Sequence, residues 1–142
     1  MPGASREKRD STKGRQLSAH PAAALTFYWR EQLRSVRIRG PIAEAAEADS
    51  HHDFTARSLD ARAIALSGEQ SAPLVSQGEL VRDVEASRNE LHDDADLVPS
   101  TWTVWELHPA EVEFWEGSKT RLHTRLRYER TADGWLTSHR RP

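Results

Sequence analysis

Basic and apolar residues alternate along the segment from Thr120 to Arg130, near the C-terminal end of the sequence. Because successive side chains of a β-strand point to opposite faces, the alternation predicts a strand with one basic face and one apolar face. The basic face would carry Arg121, His123, Arg125 and Arg127, and the apolar face Leu122, Leu126 and Tyr128. This pattern is typical either of a half-buried strand with its polar face in water or of a binding site for an anion.

Further runs of β-branched and aromatic residues predict a mainly antiparallel β-structure. The runs AALTFYWRE and RSVRIRGPIAEA predict the two strands of a hairpin, with a bend or bulge where Gly40-Pro41 interrupts the second strand. Beyond residue 98 four strands are predicted to form an antiparallel meander: WTVWELH, EVEFWEG, TRLHTRLRYER and, after a TADG turn, WLTSH.

Helices are predicted before the first strand and between the two groups of strands. Ser11 is a candidate N-cap for a short helix that Pro21 ends, and a second helix is predicted over roughly residues 47–57. Ser76 has capping-box spacing to Glu79 in front of a helix over about 77–91, whereas ARAIAL predicts a short strand or turn. The fold class is therefore α+β, mainly antiparallel β, with helices inserted into a small barrel or sheet.

The length and composition of the chain predict one thin-cored domain. The 142 residues fit a single domain over residues 11–142, preceded by a polar tail over residues 1–10 that lacks periodicity and is expected to be disordered. With a hydrophobic fraction of 37% and a charged fraction of 30%, the chain has few apolar residues for a core. A partner surface is therefore expected to help complete the core. The formal net charge of -2 disfavours a general nucleic-acid binder, which would show a basic excess.

Several kinds of site and location are disfavoured by the residue inventory. The chain has no cysteine, which excludes disulfides and thiolate metal sites, and it has no apolar run of membrane-spanning length, so a soluble cytoplasmic protein without membrane contact is expected. The cluster His51-His52-Asp53 is read as a solvated helix face, because adjacent helical side chains point about 100° apart and rarely converge on one metal ion. The sequence also lacks a P-loop, a dinucleotide-binding glycine motif, a nucleophile elbow and an H-E-x-x-H motif.

One combination of motifs is specific. E-F-W, a glycine-containing turn, R-L-H-x-R, an aromatic residue, G-W and a terminal proline occur in that order between residues 113 and 142. This series resembles the C-terminal signature of the pyridoxamine 5′-phosphate oxidase family, and PAAALTFYWREQLRSVRIRG, FTARS and EQSAPL are similar to earlier family blocks. The resemblance covers nearly everything from residue 11 to residue 142 and implies an FMN-binding split β-barrel.

The resemblance also implies roles for individual residues. The residues that it assigns to FMN are Lys13, Gln70, Ser71, Trp115 and Arg125. Those that it assigns to the substrate are Arg57, Arg121 and His123, with Arg57 on a substrate phosphate. Arg127 is left as a solvent-facing residue. Guanidinium groups suit this chemistry because they bind phosphate through charge-assisted, bidentate hydrogen bonds.

The activity that the resemblance implies is oxidation of pyridoxamine or pyridoxine 5′-phosphate to pyridoxal 5′-phosphate. A hydride would pass from the substrate to FMN, and molecular oxygen would reoxidise the flavin with release of hydrogen peroxide. No protein residue is expected to be catalytic in the strict sense. A homodimer is expected, with flavin sites between the subunits and a C-terminal dimerisation region over about residues 98–142.

The sequence departs from the family pattern in two ways: the first strands and several of the expected site residues. The first barrel strands of the family precede the region where this chain begins, so the barrel is expected to be incomplete. Thr12, Ser35, Asp53 and Ala61 stand where the family has arginine, glutamine, tyrosine and serine. Asp53 would repel a substrate phosphate unless another cation intervenes. Two alternatives therefore stay open: a phenazine-biosynthesis type of flavin oxidase, to which FYWRE, RLRYER and WELHPAEVEFW have some likeness, and a truncated, non-catalytic flavin-binding or dimerisation module.

Overall fold

The computed structural model describes residues 4–142 and divides them into two compact units. We call residues 21–43 with 106–142 the sheet unit, and residues 4–20 with 44–105 the helical unit. The strands are β1 (Ala4–Lys8), β2 (Ala22–Trp29), β3 (Arg34–Glu44), β4 (Trp102–Leu107), β5 (Glu111–Glu116), β6 (Thr124–Thr131) and β7 (Gly134–His139). The helices are α1 (Thr12–Ala19), α2 (Glu47–Thr55), α3 (Leu59–Leu66) and α4 (Gln77–Asp93).

The sheet unit is built from antiparallel pairs in the order β2, β3, β5, β6 and β7. The predicted hairpin of β2 and β3 is confirmed, with Trp29 opposite Arg34 next to the turn. The predicted four-strand meander is wrong for its first strand, because β5 already has β3 on one side and β6 on the other. Only β5, β6 and β7 follow one another as a meander. The sheet is not closed into a barrel.

The predicted interruption at Gly40-Pro41 is also wrong. The register of β2 and β3 continues through Ala23 opposite Gly40 and Ala22 opposite Pro41, with no extra residue on either strand. Glycine is needed at position 40 for space, since an added Cβ would lie 1.9 Å from the His108 carbonyl oxygen. Gly40 in the sequence therefore indicates a close approach of two backbones and not a bend of the strand.

The helical unit contains all four helices, and their N-caps explain most of their boundaries. The hydroxyls of Ser11, Ser58 and Ser76 accept hydrogen bonds from the backbone N–H groups of Gly14, Ala61 and Glu79. These caps satisfy N–H groups that have no partner inside the helix. The predicted helices near Ser11, over 47–57 and after Ser76 are confirmed as α1, α2 and α4. The strand or turn predicted for ARAIAL is wrong, because Ser58 caps a helix there and Ala63 is fully buried.

The core of the helical unit gathers around Phe54 of α2, which has no exposed surface. Its ring meets the edge of Trp102 of β4 with the ring centroids 5.2 Å apart, and the Arg62 guanidinium lies 5.4 Å from the Phe54 centroid. A fully buried aromatic ring of this kind contributes roughly 3–5 kcal/mol relative to alanine. The packing fixes α2 against β4 close to the predicted site residue Arg57, which follows α2 and lies over the Trp102 ring.

Residues 4–8, for which a disordered tail is predicted, form strand β1 instead. Strand β1 pairs with β4, and the next residue, Arg9, donates its backbone N–H to the Thr101 carbonyl at 2.7 Å. Lys8 is buried, and its ammonium group donates a hydrogen bond to the Gly68 carbonyl at 2.7 Å. A polar sequence forms a strand here because tertiary partners satisfy its backbone and its charge. The first three residues of the predicted tail lie outside the described part of the chain, and the single-domain prediction stays a prediction.

Candidate functional site

A cavity of about 350 Å³ opens on the sheet unit beside β5 and β6. Its walls include three of the predicted site residues, namely Trp115, His123 and Arg125. Ser35 and Arg37 of β3 complete one side, since Ser35 lies opposite Trp115 in the sheet register and Trp115 lies opposite Arg125. We call this space the sheet cavity. The register thus brings residues from three strands to one face of the sheet.

Glu113 is the carboxylate that organises the cations of the sheet cavity. Its Oε1 accepts from Arg37 Nη2 at 3.1 Å and its Oε2 accepts from Arg125 Nη2 at 2.8 Å. The Glu113 side chain is buried, whereas the side chains of Arg37 and Arg125 are 34% and 30% exposed. Arg125 Nη1 also donates to the Arg141 carbonyl at 3.0 Å. The group formed by these two guanidinium groups and one carboxylate carries a net positive charge of one.

His123 is held in a defined tautomer next to Trp115. The Ser118 backbone N–H donates to Nδ1 of His123 at 3.0 Å, so the proton of the neutral ring lies on Nε2. The rings of Trp115 and His123 lie 5.2 Å apart between centroids. The arrangement provides one N–H donor beside an aromatic wall.

The strand predicted over residues 120–130 begins later than expected. Strand β6 starts at Thr124, and Arg121 lies in the preceding turn with a φ of 64°, its backbone N–H donating to the Ser118 carbonyl. Arg121, Leu122 and His123 therefore do not alternate as strand residues, because the turn after Gly117 replaces the ladder there. Arg121 is not among the residues that line the sheet cavity, and its substrate role stays a prediction. The expectation that Arg127 faces solvent is wrong, since it is half-buried between Glu111 and Glu129.

The helical unit contains a second cavity, of about 390 Å³, which we call the helical cavity. Arg57, Ala61 and Gln70 contribute to its walls together with Arg6 and Lys8 of β1. The Arg57 guanidinium lies 4.7 Å from the centroid of the Trp102 ring, a cation–π distance. Among the described residues the Arg57 Nε is buried without a hydrogen-bond partner. This arrangement fits a guanidinium that holds an anionic group, as predicted for Arg57.

Asp53 is neutralised by a neighbour that the sequence did not reveal. Its carboxylate forms an ion pair with Nε of Arg6 and accepts a hydrogen bond from Trp102 Nε1 at 3.4 Å. The intervening cation that Asp53 requires is therefore Arg6. No sequence pattern links the two residues, because they are brought together only by the position of β1 beside α2.

The remaining predicted FMN residues belong to the helical unit. The Gln70 Oε1 accepts from the Lys8 backbone N–H at 3.3 Å, and Gln70 and Ser71 together line a further cavity of about 400 Å³ beside Asp10 and Arg15. Gln70 and Ser71 form a turn, in which Ser71 adopts a positive φ of 72°. Lys13 lies in the first turn of α1, a turn without acidic residues. A helix N-terminus with a lysine favours an anion electrostatically.

Two residues that shape the sheet cavity were missed by sequence reasoning. Arg37 and Glu113 were assigned no role, although RSVRIRG and EVEFWEG both alternate. Their contact follows from the register that places Arg37 opposite Glu113. Opposite charges at alternating positions of two strands are a weak signal that becomes specific only when the pairing of the strands is known.

The comparisons with family models cover nearly the whole chain. A model described as pyridoxamine 5′-phosphate oxidase matches residues 6–116. A model described as the pyridoxine 5′-phosphate oxidase C-terminal dimerisation region matches residues 102–142.

Two curated relatives are identical to this chain at about two fifths of the aligned residues. The pyridoxine/pyridoxamine 5′-phosphate oxidase of Hyphomonas neptunium is 42% identical over 132 residues, covering 90% of this chain and 59% of the relative. The enzyme of the same name from Burkholderia lata is 41% identical over 136 residues, covering 94% of this chain and 63% of the relative. The chain thus spans about three fifths of the length of these relatives.

Solved structures agree on the fold. PhzG from Burkholderia lata 383, solved with tetrahydrophenazine-1-carboxylic acid, has a TM-score of 0.91 at 30% identity and covers 99% of this chain and 69% of its own. A pyridoxamine 5′-phosphate oxidase-related, FMN-binding protein from Nostoc punctiforme has a TM-score of 0.73 at 18% identity, covers 98% of this chain and 72% of its own, and supports the fold alone. In the described residues no helix is long and apolar enough to cross a membrane. With both family models matched in order, and with Trp115 of E-F-W and the His123 and Arg125 of R-L-H-x-R lining one cavity, the chain belongs to the pyridoxamine 5′-phosphate oxidase family of split-barrel, FMN-dependent oxidoreductases.

Proposed function

We propose that this chain forms the flavin- and substrate-binding part of an FMN-dependent oxidase that converts pyridoxamine or pyridoxine 5′-phosphate to pyridoxal 5′-phosphate. The observation that carries the proposal is the sheet cavity, in which Trp115, His123 and Arg125 line one space. Relatives of 41% and 42% identity bear the corresponding name, which supports the same substrate class.

The residues present suit FMN, a planar and anionic molecule. Trp115 offers an apolar ring surface, and the Arg37–Glu113–Arg125 group leaves net positive charge beside it. Lys13 in the first turn of α1 would contribute to binding the phosphate, and Gln70 with Ser71 would contact polar edges of the flavin. When bound, FMN would supply the redox chemistry by accepting a hydride from the substrate and passing electrons to oxygen, which yields hydrogen peroxide.

The side chains of this chain bind and orient rather than react. Arg57 would hold the substrate phosphate through its guanidinium, which the Trp102 ring supports from one side. The Nε2–H of His123 would donate to an oxygen or ring atom of the substrate, because Nδ1 is occupied by the Ser118 N–H. Arg121 keeps its proposed substrate role from the turn before β6. No acid, base or nucleophile of the protein is required.

A second candidate function is oxidation of a phenazine precursor. It is favoured by the TM-score of 0.91 with PhzG at 30% identity, higher than for the Nostoc protein. Ser35, which stands where the family has a larger residue, lines the sheet cavity and would leave more room there for an aromatic tricycle. A non-catalytic flavin-binding or dimerisation module is the third candidate, and the match of residues 102–142 to a dimerisation-region model supports it.

We also propose a cytoplasmic homodimer that binds small molecules and neither nucleic acid nor membrane. The match of residues 102–142 to a dimerisation-region model supports the dimer. Sedimentation equilibrium should therefore give a mass of twice the 16.1 kDa chain, whereas a mass of one chain at micromolar concentration would contradict it.

Turnover with three compounds separates the three candidates. The FMN-supplemented chain is mixed in air with pyridoxamine 5′-phosphate, with unphosphorylated pyridoxamine, or with a tetrahydrophenazine carboxylate, and hydrogen peroxide and products are measured. We expect pyridoxal 5′-phosphate to form from the phosphorylated amine and little product from pyridoxamine. Consumption of the phenazine substrate alone would favour the second candidate, and FMN binding without any turnover would favour the module.

A further inference from the structure

The Asp53 cluster is a connected group of charged and aromatic side chains at the helical cavity. It comprises Arg6, Asp53, Arg57 and Trp102. Strand β1 supplies Arg6, helix α2 supplies Asp53, Arg57 follows α2, and β4 supplies Trp102. We propose that Arg6 is a built-in counter-ion that masks Asp53, so that Arg57 can bind an anionic substrate group in a cavity that otherwise contains an opposing carboxylate.

The position of Asp53 makes its charge important. Its side chain is only 16% exposed, so water screens its carboxylate poorly. The Trp102 ring contacts both residues, since its Nε1 donates to Asp53 from the ring edge and its face carries Arg57. Without a counter-ion, the carboxylate would reduce the attraction of Arg57 for any anion.

Asp53 is not simply a defect that Arg6 repairs, because it also fixes the platform beneath Arg57. The hydrogen bond from Trp102 to Asp53 and the edge contact with Phe54 hold the indole from two sides. A carboxylate at this position thus orients the ring on which the guanidinium rests, while its charge opposes the ligand. Arg6 removes the charge penalty and leaves the hydrogen bond in place.

The charges around the helical cavity agree with this role. Arg6, Lys8 and Arg57 line it together with one carboxylate, the exposed Glu69, and Asp53 accepts a hydrogen bond from the edge of Trp102, which also lines the cavity. With Arg6 present, these five groups carry a net positive charge of one, and without Arg6 their net charge is zero. Lys8 does not compensate, because its ammonium group is buried and donates to the Gly68 carbonyl.

The inference rests on the proposed anion-binding role of Arg57, but it can be tested with inorganic phosphate and without any turnover. Phosphate is titrated against the 142-residue chain and followed by the ³¹P line width for the wild type, Arg57→Ala, Arg6→Ala and the double variant Arg6→Ala/Asp53→Asn. We expect Arg57→Ala to abolish the specific broadening and Arg6→Ala to weaken phosphate binding roughly tenfold. The double variant should recover most of the wild-type affinity, because asparagine keeps a hydrogen-bond acceptor for Trp102 without the charge.

Controls separate charge masking from folding. Arg6→Lys keeps the positive charge and should bind phosphate like the wild type. Arg88→Ala/Asp60→Asn removes another arginine–aspartate pair of the same unit, one that is exposed, and should leave phosphate binding unchanged. Urea unfolding of each variant identifies any that does not fold. If Arg6→Ala does not fold, Arg6→Gln replaces it in the series.

Three outcomes would overturn the inference: no Arg57-dependent phosphate binding in the wild type, full binding by Arg6→Ala, or a loss in Arg6→Ala that Asp53→Asn does not restore. The last would mean that Arg6 contacts the anion directly. If the phosphate series behaves as expected while pyridoxamine 5′-phosphate is not oxidised, the proposed function fails and the masking role of Arg6 stands.

Discussion

Glu113 determines how much positive charge the sheet cavity presents. It is buried and bridges Arg37 and Arg125 across two strand pairs. Another carboxylate of the same strand, Glu116, pairs with Arg34 at 3.0 Å, but both side chains are more than half exposed. The Arg37–Glu113 and Arg34–Glu116 pairs join the same strands, β3 and β5, and they differ in burial and in the second guanidinium that Glu113 binds, so they can be compared directly.

Replacing Glu113 by glutamine should destabilise the protein by about 1–3 kcal/mol, because two guanidinium groups would then share a buried neutral partner. Glu116→Gln should cost less than about 1 kcal/mol, since exposed ion pairs contribute little. Urea unfolding followed by tryptophan fluorescence measures both variants. Equal losses in the two variants would show that burial of Glu113 does not matter.

At the residue level, the sequence identified neighbours within a local motif and did not identify contacts that depend on strand register or on tertiary position. Trp115, His123 and Arg125 were named from the sequence and line one cavity. Arg37 and Arg6 were not named, because their partners Glu113 and Asp53 are 76 and 47 residues away along the chain. The strand geometry expected at Arg121 was wrong because alternation continued through a turn.

At the scale of secondary-structure elements, capping residues were the most reliable signal. Ser11 and Ser76 marked α1 and α4, and the three hydrogen bonds made by serine caps are present in the structure. The failures were β1 and α3, whose short segments take their conformation from tertiary contacts and a single cap. Gly40 was recognised as special, but its reason is a backbone approach from outside its own hairpin.

Gly40→Ala should destabilise the protein strongly, by about 2 kcal/mol or more, because its Cβ would overlap the His108 carbonyl and the backbone must shift. Gly78→Ala in α4 is the matched control, since the nearest heavy atom to its Cβ would be 3.7 Å away. That variant should be neutral or stabilising by up to about 1 kcal/mol. Thermal unfolding of both variants checks the pair, and a mild effect at Gly40 would mean that β3 is not held against His108.

The ion pair between Arg9 and Glu44 makes the stability of the helical unit dependent on pH. The hydrogen bond from Arg9, reinforced by its charge and by the Thr103 hydroxyl, lowers the pKa of Glu44 below its ordinary value of 4.5 despite partial burial. A carboxyl whose pKa is lowered by folding stabilises the folded state above its unfolded pKa and loses this contribution as the pH falls through the folded pKa. The same pair raises the pKa of Arg9, which stays charged throughout this range.

The free energy of unfolding of Glu44→Gln should therefore be lower than that of the wild type at neutral pH. The difference should shrink in acid, below the lowered pKa of Glu44, where the wild-type carboxyl is protonated as well. Urea titrations at neutral and acidic pH measure it. A difference that stays constant with pH would show that the charge of Glu44 contributes nothing.

At the scale of the whole molecule, the family and the fold were predicted from ordered motifs, and the arrangement of the strands was not. Four motif blocks in order indicated the split barrel, and the family models and solved structures confirm it. The position of β3 beside β5 could not be read from the sequence, because nothing local specifies pairing between strands separated by three helices. The substrate stays a proposal, since the chain spans about three fifths of its curated relatives.

The most direct test of the account is an FMN titration of the 142-residue chain, followed by quenching of flavin fluorescence. We expect saturable binding with one FMN per chain and clearly weaker binding by Arg125→Gln, which removes a guanidinium from the sheet cavity. Arg130→Gln, on the same strand but facing the opposite side, should bind FMN like the wild type. Absence of quenching at any concentration, or equal binding by Arg125→Gln and Arg130→Gln, would contradict the assignment of the sheet cavity to the flavin.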